Sequence, residues 1–359
     1  MDKFRKIASS ILNLLLPIVF AFSVGAIFIA INGKNPLYIY KFLISQSLLN
    51  TTGILNTLAY ATPIIMTGLG IAISFKSGLF NMGIEGQMYM GAFFATYLGF
   101  TLQGLPSILH ISICILGGAI MGMLFAIIPA VLKAYFHVNE MVVTMMLNYA
   151  AIIFTKYLTN GPFTANIGYP ATQAVSDSAK LTRLSSKSAL TPAIFIAIAL
   201  VLLVFIIYKK TKLGYEIEAL GKHVEFADSV GMRVDKKIIV IFLIAGAISG
   251  IAGATEMLGV HYRFTPGFST NPGLGWDGML VSLLASHEPI SVLIAAIFFG
   301  ALKYGGTTMQ TFVGISNDTI GIIQAALILF LSVKYVGQNS HFFDKLENVF
   351  LKRTKKERE

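Results

Sequence analysis

The chain has 359 residues, of which 55% are hydrophobic and 12% are charged, and it carries a formal net charge of +10. Its mean hydropathy is +0.73. Soluble domains contain about 25% charged residues, so this composition excludes an ordinary soluble protein and predicts an integral membrane protein. The distribution of the basic residues favours a membrane surface, and not nucleic acid, as their partner. The single cysteine, Cys114, excludes an intramolecular disulfide bond.

Ten apolar segments are candidates to cross a membrane, which takes about 20 apolar residues in a regular helix. They run over residues 11–31, 54–75, 87–98, 111–132, 141–158, 192–208, 238–260, 278–285, 290–304 and 319–333. The third and eighth are too short to cross alone, so we expect them to include the glycine-rich residues before them. We therefore predict one all-α transmembrane domain over residues 1–359. It would contain about ten helices, some short or broken, in half-repeats of about 11–158 and 192–335.

The first glycine-rich segment is Gly83-Ile84-Glu85-Gly86, which follows Asn81 and precedes Gln87. Irregular backbone at membrane depth survives only where protein or a water-filled cavity satisfies its polar groups. We expect Asn81, Glu85 and Gln87 to line a transport path or an inner gate. The alternative is an interfacial loop that caps the next helix, with the Glu85 carboxylate stabilised by the helix dipole.

A polar stripe follows on the fifth predicted helix. Glu140, Thr144 and Asn148 recur every four residues and therefore share one helical face. Such a stripe on a spanning helix faces the interior of the bundle. It predicts either hydrogen bonds between helices or the lining of a hydrophilic path, and the sequence leaves both open.

The longest inner connector covers residues 209–237. It predicts a short amphipathic helix, a break at a glycine, and a second helix in which Ala227 is buried. Alternating apolar and charged residues favour a surface that docks a soluble partner, although a solvated connector with a solvent-exposed His223 is the alternative. The residues of this connector that we expect to matter for docking are Gly214, Glu218, Gly221, His223, Ala227 and Gly231.

Glycines in the second half point to close packing and to a second broken helix. Gly246-Ala247-Ile248-Ser249-Gly250 predicts a helix whose backbone approaches a neighbour closely, as do the glycines of the fourth segment. Glu256, near the end of the segment over residues 238–260, predicts either a hydrogen bond between helices or the lining of a hydrophilic path, like the polar stripe. Gly275-Trp276-Asp277-Gly278 opens the eighth segment, and Trp276 predicts either an interfacial anchor or an aromatic face for a planar solute.

The two Gly-x-acid-Gly segments, residues 83–86 and 275–278, occupy matching places in the two halves. Interrupted hydrophobic segments in matching places indicate the central path of a transporter. In the ten-helix arrangement most of the 27 lysine and arginine residues fall on the side of both termini, which predicts cytoplasmic termini and a cytoplasmic tail over 336–359. The first segment would then face inward and the second outward, as an inverted 5+5 repeat.

Motifs for catalysis do not occur in the sequence. The six histidines lack metal-binding spacing, and GxSxG, HExxH and GxxxxGK[ST] are missing. We therefore expect no enzyme activity, no bound metal and no ATP hydrolysis by this chain alone. Any active transport would take its energy from a partner or from an ion gradient.

Four motifs together resemble a known family. Residues 77–87 (SGLFNMGIEGQ) look like the glycine-rich signature of ABC-importer permeases of the branched-chain amino acid, ribose and nucleoside group. Residues 139–149 (NEMVVTMMLNY) are similar to the nucleoside and simple-sugar branch, as are residues 259–264 (GVHYRF) followed by 275–278 (GWDG). The resemblance covers about residues 54–284.

This resemblance implies a multi-pass permease subunit in a bacterial plasma membrane, forming half of a path for nucleoside uptake. It implies three kinds of partner: a second permease, homologous or identical; cytoplasmic ATP-binding subunits; and an extracellular lipoprotein that captures the nucleoside. ATP and Mg²⁺ would be used by the ATP-binding subunits, and this chain would bind no cofactor. Residues 214–232 would rest on the ATPase. The family usually has asparagine where His223 stands and often alanine where Phe226 stands.

Three other functions remain as alternatives. The first is a simple-sugar permease of the same class. The second is a self-sufficient secondary transporter that moves protons through Glu85, Glu256 or Asp277. The third is a membrane scaffold without a solute.

Overall fold

The computed structural model describes residues 19–165, 167–270, 273–314, 321–323 and 325–326. Regular structure in these residues is entirely helical, which confirms the predicted all-α class. Two compact units are present, one of residues 44–304 and one of residues 1–43 with 305–359. The start of the first predicted segment, most of the tenth and the tail over 336–359 lie outside the described residues.

In the unit of residues 1–43 and 305–359, a helix described over Val19–Ile31 (α1) is followed by α2 (Pro36–Leu48). The axes of α1 and α2 differ by 117°. The Tyr40 hydroxyl donates a hydrogen bond to the Phe22 carbonyl at 2.6 Å. Helix α2 was not among the predicted segments, since Lys41, Ser45 and Gln46 interrupt its apolar character.

The unit of residues 44–304 contains most of the helices. They are α3 (Thr51–Lys76), α4 (Ile84–Thr101), α5 (Ser107–Phe136), α6 (Glu140–Asn160), α7 (Ala193–Lys210), α8 (Lys212–Lys222), α9 (Val224–Ser229), α10 (Val234–Glu256), α11 (Pro266–Thr270), α12 (Leu274–Leu284) and the larger part of α13 (Pro289–Val313). A π-helical turn over Met257–His261 extends α10, and a 3₁₀ turn covers Asp177–Ala179.

Six helices of the described chain are long and apolar enough to cross a membrane, or seven if α1 and α2 form one broken span. The six are α3, α5, α6, α7, α10 with its π-helical turn, and α13. Helix α12, with 11 residues, is only about 16 Å long and reaches about half-way through a bilayer core. Ten spans, the inverted repeat and cytoplasmic termini therefore stay predictions.

Glycines bring α10 into backbone contact with α5, as the sequence predicts. A Cβ atom on Gly250 would overlap the Gly118 carbonyl, and one on Gly122 would overlap the Gly246 carbonyl. Helix backbones approach this closely only where neither helix carries a side chain. The α5–α10 pair is therefore held together by direct backbone contact.

The chain between α3 and α4 is irregular. Helix α3 ends at Lys76, where Gly78, with φ +76°, reverses the chain in the manner of a helix C-terminal glycine. Gly83 then precedes the first turn of α4, which holds Glu85. Asp277 lies in the first turn of α12 in the same way. The short third and eighth segments thus do incorporate their glycine-rich residues.

Candidate functional site

Asn148 and Thr144 of α6 bind the backbone of the irregular segment before α4. The Asn148 amide donates to the Met82 carbonyl and accepts from the Gly86 N–H, each at 2.8 Å. Thr144 Oγ1 accepts from the Met82 N–H at 3.1 Å. Polar backbone groups within a membrane must be satisfied inside the protein. The sequence left two uses open for this stripe, which were hydrogen bonds between helices and the lining of a hydrophilic path. The contacts observed are hydrogen bonds from α6 to α4 and to the segment that leads into it.

Glu140 continues the same stripe toward the end of α3. Its Oε1 accepts from the Phe80 N–H at 3.2 Å, and its Oε2 lies 2.8 Å from Nζ of Lys133 on α5. The carboxylate is therefore both hydrogen-bonded and paired, which makes a buried charge tolerable. Glu140 holds the irregular segment against two helices at once.

Asn81 and Gln87 are buried inside this segment. Asn81 Oδ1 accepts from the Gly83 N–H at 3.0 Å and from Gln87 Nε2 at 3.4 Å. Asn81 Nδ2 and Gln87 Oε1 have no hydrogen-bond partner among the described residues. The two amides therefore shape the turn into α4.

Glu85 and Gly275, from the two Gly-x-acid-Gly segments, are in direct contact. A Cβ atom on Gly275 would lie 2.8 Å from the Glu85 Cβ, so only glycine fits there. The Tyr89 hydroxyl donates to Glu85 Oε1 at 2.7 Å. That one segment faces each side of the membrane stays a prediction; in the structure the two segments meet where α4 and α12 begin.

Asp277 forms an ion pair with Lys303 of α13. The same lysine interacts electrostatically with Glu85 and with Glu256, at the end of α10. His261 Nε2 lies 3.8 Å from Glu256 Oε2. One cation thus pairs with a carboxylate of α12 and attracts the carboxylates of α4 and α10 through space. Lys303 was not among the predicted site residues, although a lone ionisable residue in an apolar helix is itself a signal of function.

Trp276 lies at the edge of this cluster, and 44% of its surface is left uncovered by the chain. It lines a narrow cleft with Ile71, Met82, Glu85 and Met279. The indole therefore presents an aromatic surface next to a carboxylate. Glu85, Asp277 and Trp276 lie together at the junction of α4 and α12. The polar stripe of α6 instead binds the backbone of the irregular segment before α4.

The connector over residues 209–237 forms α8 and α9. The predicted helix pair is present and Ala227 is buried, as expected, but the break falls at His223 because α8 continues through Gly221 to Lys222. A Cβ on Gly214 would overlap the Ile207 carbonyl. Gly214 is thus a contact point between α8 and the end of α7.

Buried and exposed faces of α8 differ sharply. Ile217 and Leu220 are buried, and buried Glu216 pairs with Lys237 at 2.6 Å. Glu218 pairs with Lys222 at 2.8 Å on the exposed side, and this hydrogen bond to the lysine holds the pKa of Glu218 below its usual range. His223 is exposed, and Gly231, with φ +81°, ends the turn after α9.

Four apolar side chains project from this end of the molecule: Tyr215, Val224, Phe226 and Val230, which are 66%, 51%, 58% and 59% exposed. A cleft of about 550 Å³ beside them is lined by basic residues that include Lys212, Arg233 and Lys236. Contiguous exposed apolar residues with a polar rim are typical of a protein-binding surface.

The structure is thus that of an all-helical membrane protein in which two helices, α4 and α12, begin at buried ionisable residues, and in which α8 and α9 form an amphipathic surface, as expected of a transport subunit. Residues 53–332 match the family described as "Branched-chain amino acid transport system / permease component". The chain belongs to this family. It is a multi-pass membrane permease component of an ABC transporter, and it is not an enzyme.

Curated relatives are similar over most of their length. Guanosine ABC transporter permease protein NupP of Bacillus subtilis is 34% identical over 91% of this chain and 94% of its own. Nucleoside ABC transporter permease protein NupB of Lactococcus lactis is 31% identical over 90% of both. Glucose ABC transporter permease protein TsgB13 of Haloferax volcanii is 30% identical over 88% of this chain and 85% of its own. No solved structure matches.

Proposed function

We propose that this chain forms half of the translocation path of an ATP-driven importer of nucleosides. The observation that carries the proposal is the junction of α4 and α12 at Glu85 and Gly275, beside the uncovered indole of Trp276. Similarity to permeases named for guanosine and nucleoside transport supports the choice of solute.

A nucleoside suits the chemistry of this junction. Its base is a flat ring that can stack on the Trp276 indole. Its ribose hydroxyls and base N–H groups are donors, and the Glu85 and Asp277 carboxylates are acceptors. Neither acid has to carry protons in an ATP-driven importer, because the energy comes from ATP. Their ion-pair and hydrogen-bond partners, Lys303 and Tyr89, keep them in place between transport cycles.

Cytoplasmic ATP-binding subunits, in this proposal, dock on the exposed apolar residues of α8 and α9. These subunits bind ATP and Mg²⁺, and the chain itself binds no cofactor. A second permease, homologous or identical, completes the path, and an extracellular lipoprotein delivers the nucleoside. In this proposal the exposed face of α8 and α9, together with both termini, lies in the cytoplasm.

Loss of the ATP-binding subunit tests this class of function. Nucleoside uptake by cells should stop when that subunit is deleted and should persist when the proton gradient is collapsed while ATP is maintained. Uptake that survives the deletion and stops on collapse of the gradient would identify an ion-coupled carrier instead.

A simple-sugar importer is the second candidate, because TsgB13 is named as a glucose permease component. The two solutes differ in the aromatic ring. Competition by excess unlabelled guanosine but not by glucose supports the nucleoside, and the reverse result supports the sugar.

A further inference from the structure

We propose that Lys76, the last residue of α3, is a positioning residue that transmits movement of α8 to α4 and to α12. Its main chain leads to α4, and its ion pair with Glu288 leads to α12 and α13. This inference rests on the proposed ATP-driven function, in which the ATP-binding subunits move α8.

The first link joins α8 to α3 through main-chain contact. A Cβ atom on Gly221 would overlap the Lys76 carbonyl oxygen, and one on Gly78 would lie 3.5 Å from the Gly221 Cα. With no side chain between the two backbones, α8 cannot advance without displacing Lys76 and the turn that follows it.

The second link runs from Lys76 to α4 along the chain. Leu79 N–H donates to the Ser74 carbonyl at 3.0 Å, which fixes the turn to α3. The next residues are held by Glu140, Thr144 and Asn148, as described above. Displacement of the turn therefore changes hydrogen bonds that position the first turn of α4, where Glu85 lies.

The third link is the Lys76 side chain. It forms an ion pair with Glu288, and its Nζ lies 4.4 Å from the centre of the Tyr208 ring. Lys209 lies at 4.0 Å from the other Glu288 oxygen. Only 18% of the Lys76 side chain is exposed, so this pair is screened less by solvent than a surface pair.

Glu288 stands at the start of α13, where its carbonyl accepts from the Val292 N–H at 2.9 Å. The preceding turn is fixed as well: Ser286 and His287 have φ of 50° and 62°, and His287 Nδ1 lies 2.9 Å from Ser282 Oγ. Non-glycine residues hold such angles only where their surroundings enforce them. A pull on Glu288 therefore moves α12 and α13 together.

Helix α13 carries this movement to the buried cluster. Lys303 lies fifteen residues after Glu288, which is about 22 Å along a helix, and it pairs with Asp277 beside Trp276. Lys76 thus connects α8 to Glu85 by one route and to Asp277 by the other. The two routes end on the two segments that meet at Glu85 and Gly275.

Charge exchange tests the ion pair in the intact transporter reconstituted in liposomes. Lys76→Glu and Glu288→Lys should each lose nucleoside stimulation of ATP hydrolysis while the ATP-binding subunits remain bound. The double variant, which restores the pair in reverse, should recover much of that stimulation. The matched control is the exposed pair Lys180–Asp177, at 2.6 Å, whose exchange should leave coupling unchanged.

A second measurement does not depend on the solute. Hydrogen exchange of the assembled transporter, with and without a non-hydrolysable ATP analogue and Mg²⁺, should change at residues 77–86 and at 284–292 in the wild type. The milder variants Lys76→Met and Glu288→Gln should lose the change at 284–292 and keep normal assembly. Persistence of that change in both variants overturns the inference. If the wild type shows the change in hydrogen exchange but no stimulation of ATP hydrolysis by nucleoside, the proposed function fails while the connection through Lys76 stands.

Discussion

Gly275 packs against Glu85 so closely that a Cβ atom would lie 2.8 Å from the Cβ of the glutamate. The two residues belong to separate segments of the same Gly-x-acid-Gly pattern, and each segment opens a helix too short or too polar to rank among the clear membrane spans. Their contact makes a single junction out of two broken helices, and Asp277, Lys303 and Trp276 surround it.

Gly275→Leu is expected to destabilise the protein and to abolish transport. A side chain at this position must push α12 away from α4, and overpacking of this kind costs about 1–3 kcal/mol. Thermal unfolding in detergent and solute uptake measure the two effects. Gly267→Ala is the control, since among the described residues its added Cβ would meet Thr265 Oγ1 at an ordinary contact distance of 3.8 Å. Normal uptake by the Gly275 variant would show that the junction is dispensable.

Asn148→Ala is expected to lower the free energy of unfolding by about 1–3 kcal/mol, because it leaves the buried Met82 carbonyl and Gly86 N–H without their partner. Thermal unfolding of the purified protein gives the measurement. Asn160→Ala, at the exposed end of the same helix, should change stability by no more than about 0.5 kcal/mol. Equal effects of the two substitutions would contradict the assigned role of Asn148.

Trp276→Ala is expected to raise the KM for nucleoside about 2- to 10-fold, which corresponds to the loss of one aromatic contact of about 0.5–1.5 kcal/mol. Trp276→Phe keeps an aromatic face and should recover part of the loss. Initial rates of labelled nucleoside uptake provide the comparison, with membrane abundance measured in parallel. A KM that both variants leave unchanged would remove Trp276 from the solute site.

Gly221→Val is expected to separate ATP hydrolysis from transport, because the new side chain must displace the Lys76 carbonyl. The variant should still bind the ATP-binding subunits through the exposed residues of α8 and α9. Solute-stimulated ATP hydrolysis and uptake are measured on the same liposomes. Retention of both activities would show that α8 does not act through Lys76.

His287 predicts a pH dependence of stability. Burial lowers its pKa to about 4, against an ordinary value of about 6.5. Between these values the unfolded chain binds a proton that the folded chain does not, so stability is complete above about pH 6.5 and falls as the pH falls toward 4. The Tm of the wild type should drop more between pH 7 and pH 5 than that of His287→Gln. Parallel curves would contradict this assignment.

Local patterns in the sequence predicted much of the fold. The spacing of Glu140, Thr144 and Asn148 indicated one buried face, and the glycines of α5 and α10 indicated close packing; both are present. The short apolar segments 87–98 and 278–285 predicted that the glycine-rich residues before them belong to the same helices, and α4 and α12 begin at Ile84 and Leu274. These features depend on neighbours within a few residues, which a single sequence shows directly.

Contacts between distant segments could not be predicted in the same way. Nothing local to Gly275 shows that its neighbour is Glu85, and Lys303 gives no sign of its partner within its own apolar segment. In the sequence, Lys76 and Glu288 are ordinary charged residues at helix ends, and nothing near either of them shows that they form an ion pair. The break between α8 and α9 fell at His223, and not at Gly221, because helical hydrogen bonds continue through the glycine.

Whether this permease imports nucleosides with energy from ATP is measured by uptake of labelled guanosine into liposomes that contain the complete transporter, with its lipoprotein outside and ATP with Mg²⁺ at the face of the ATP-binding subunits. We expect ATP-dependent accumulation that excess unlabelled nucleoside abolishes and glucose does not. Accumulation of glucose without guanosine, or guanosine uptake that needs no ATP, would contradict it.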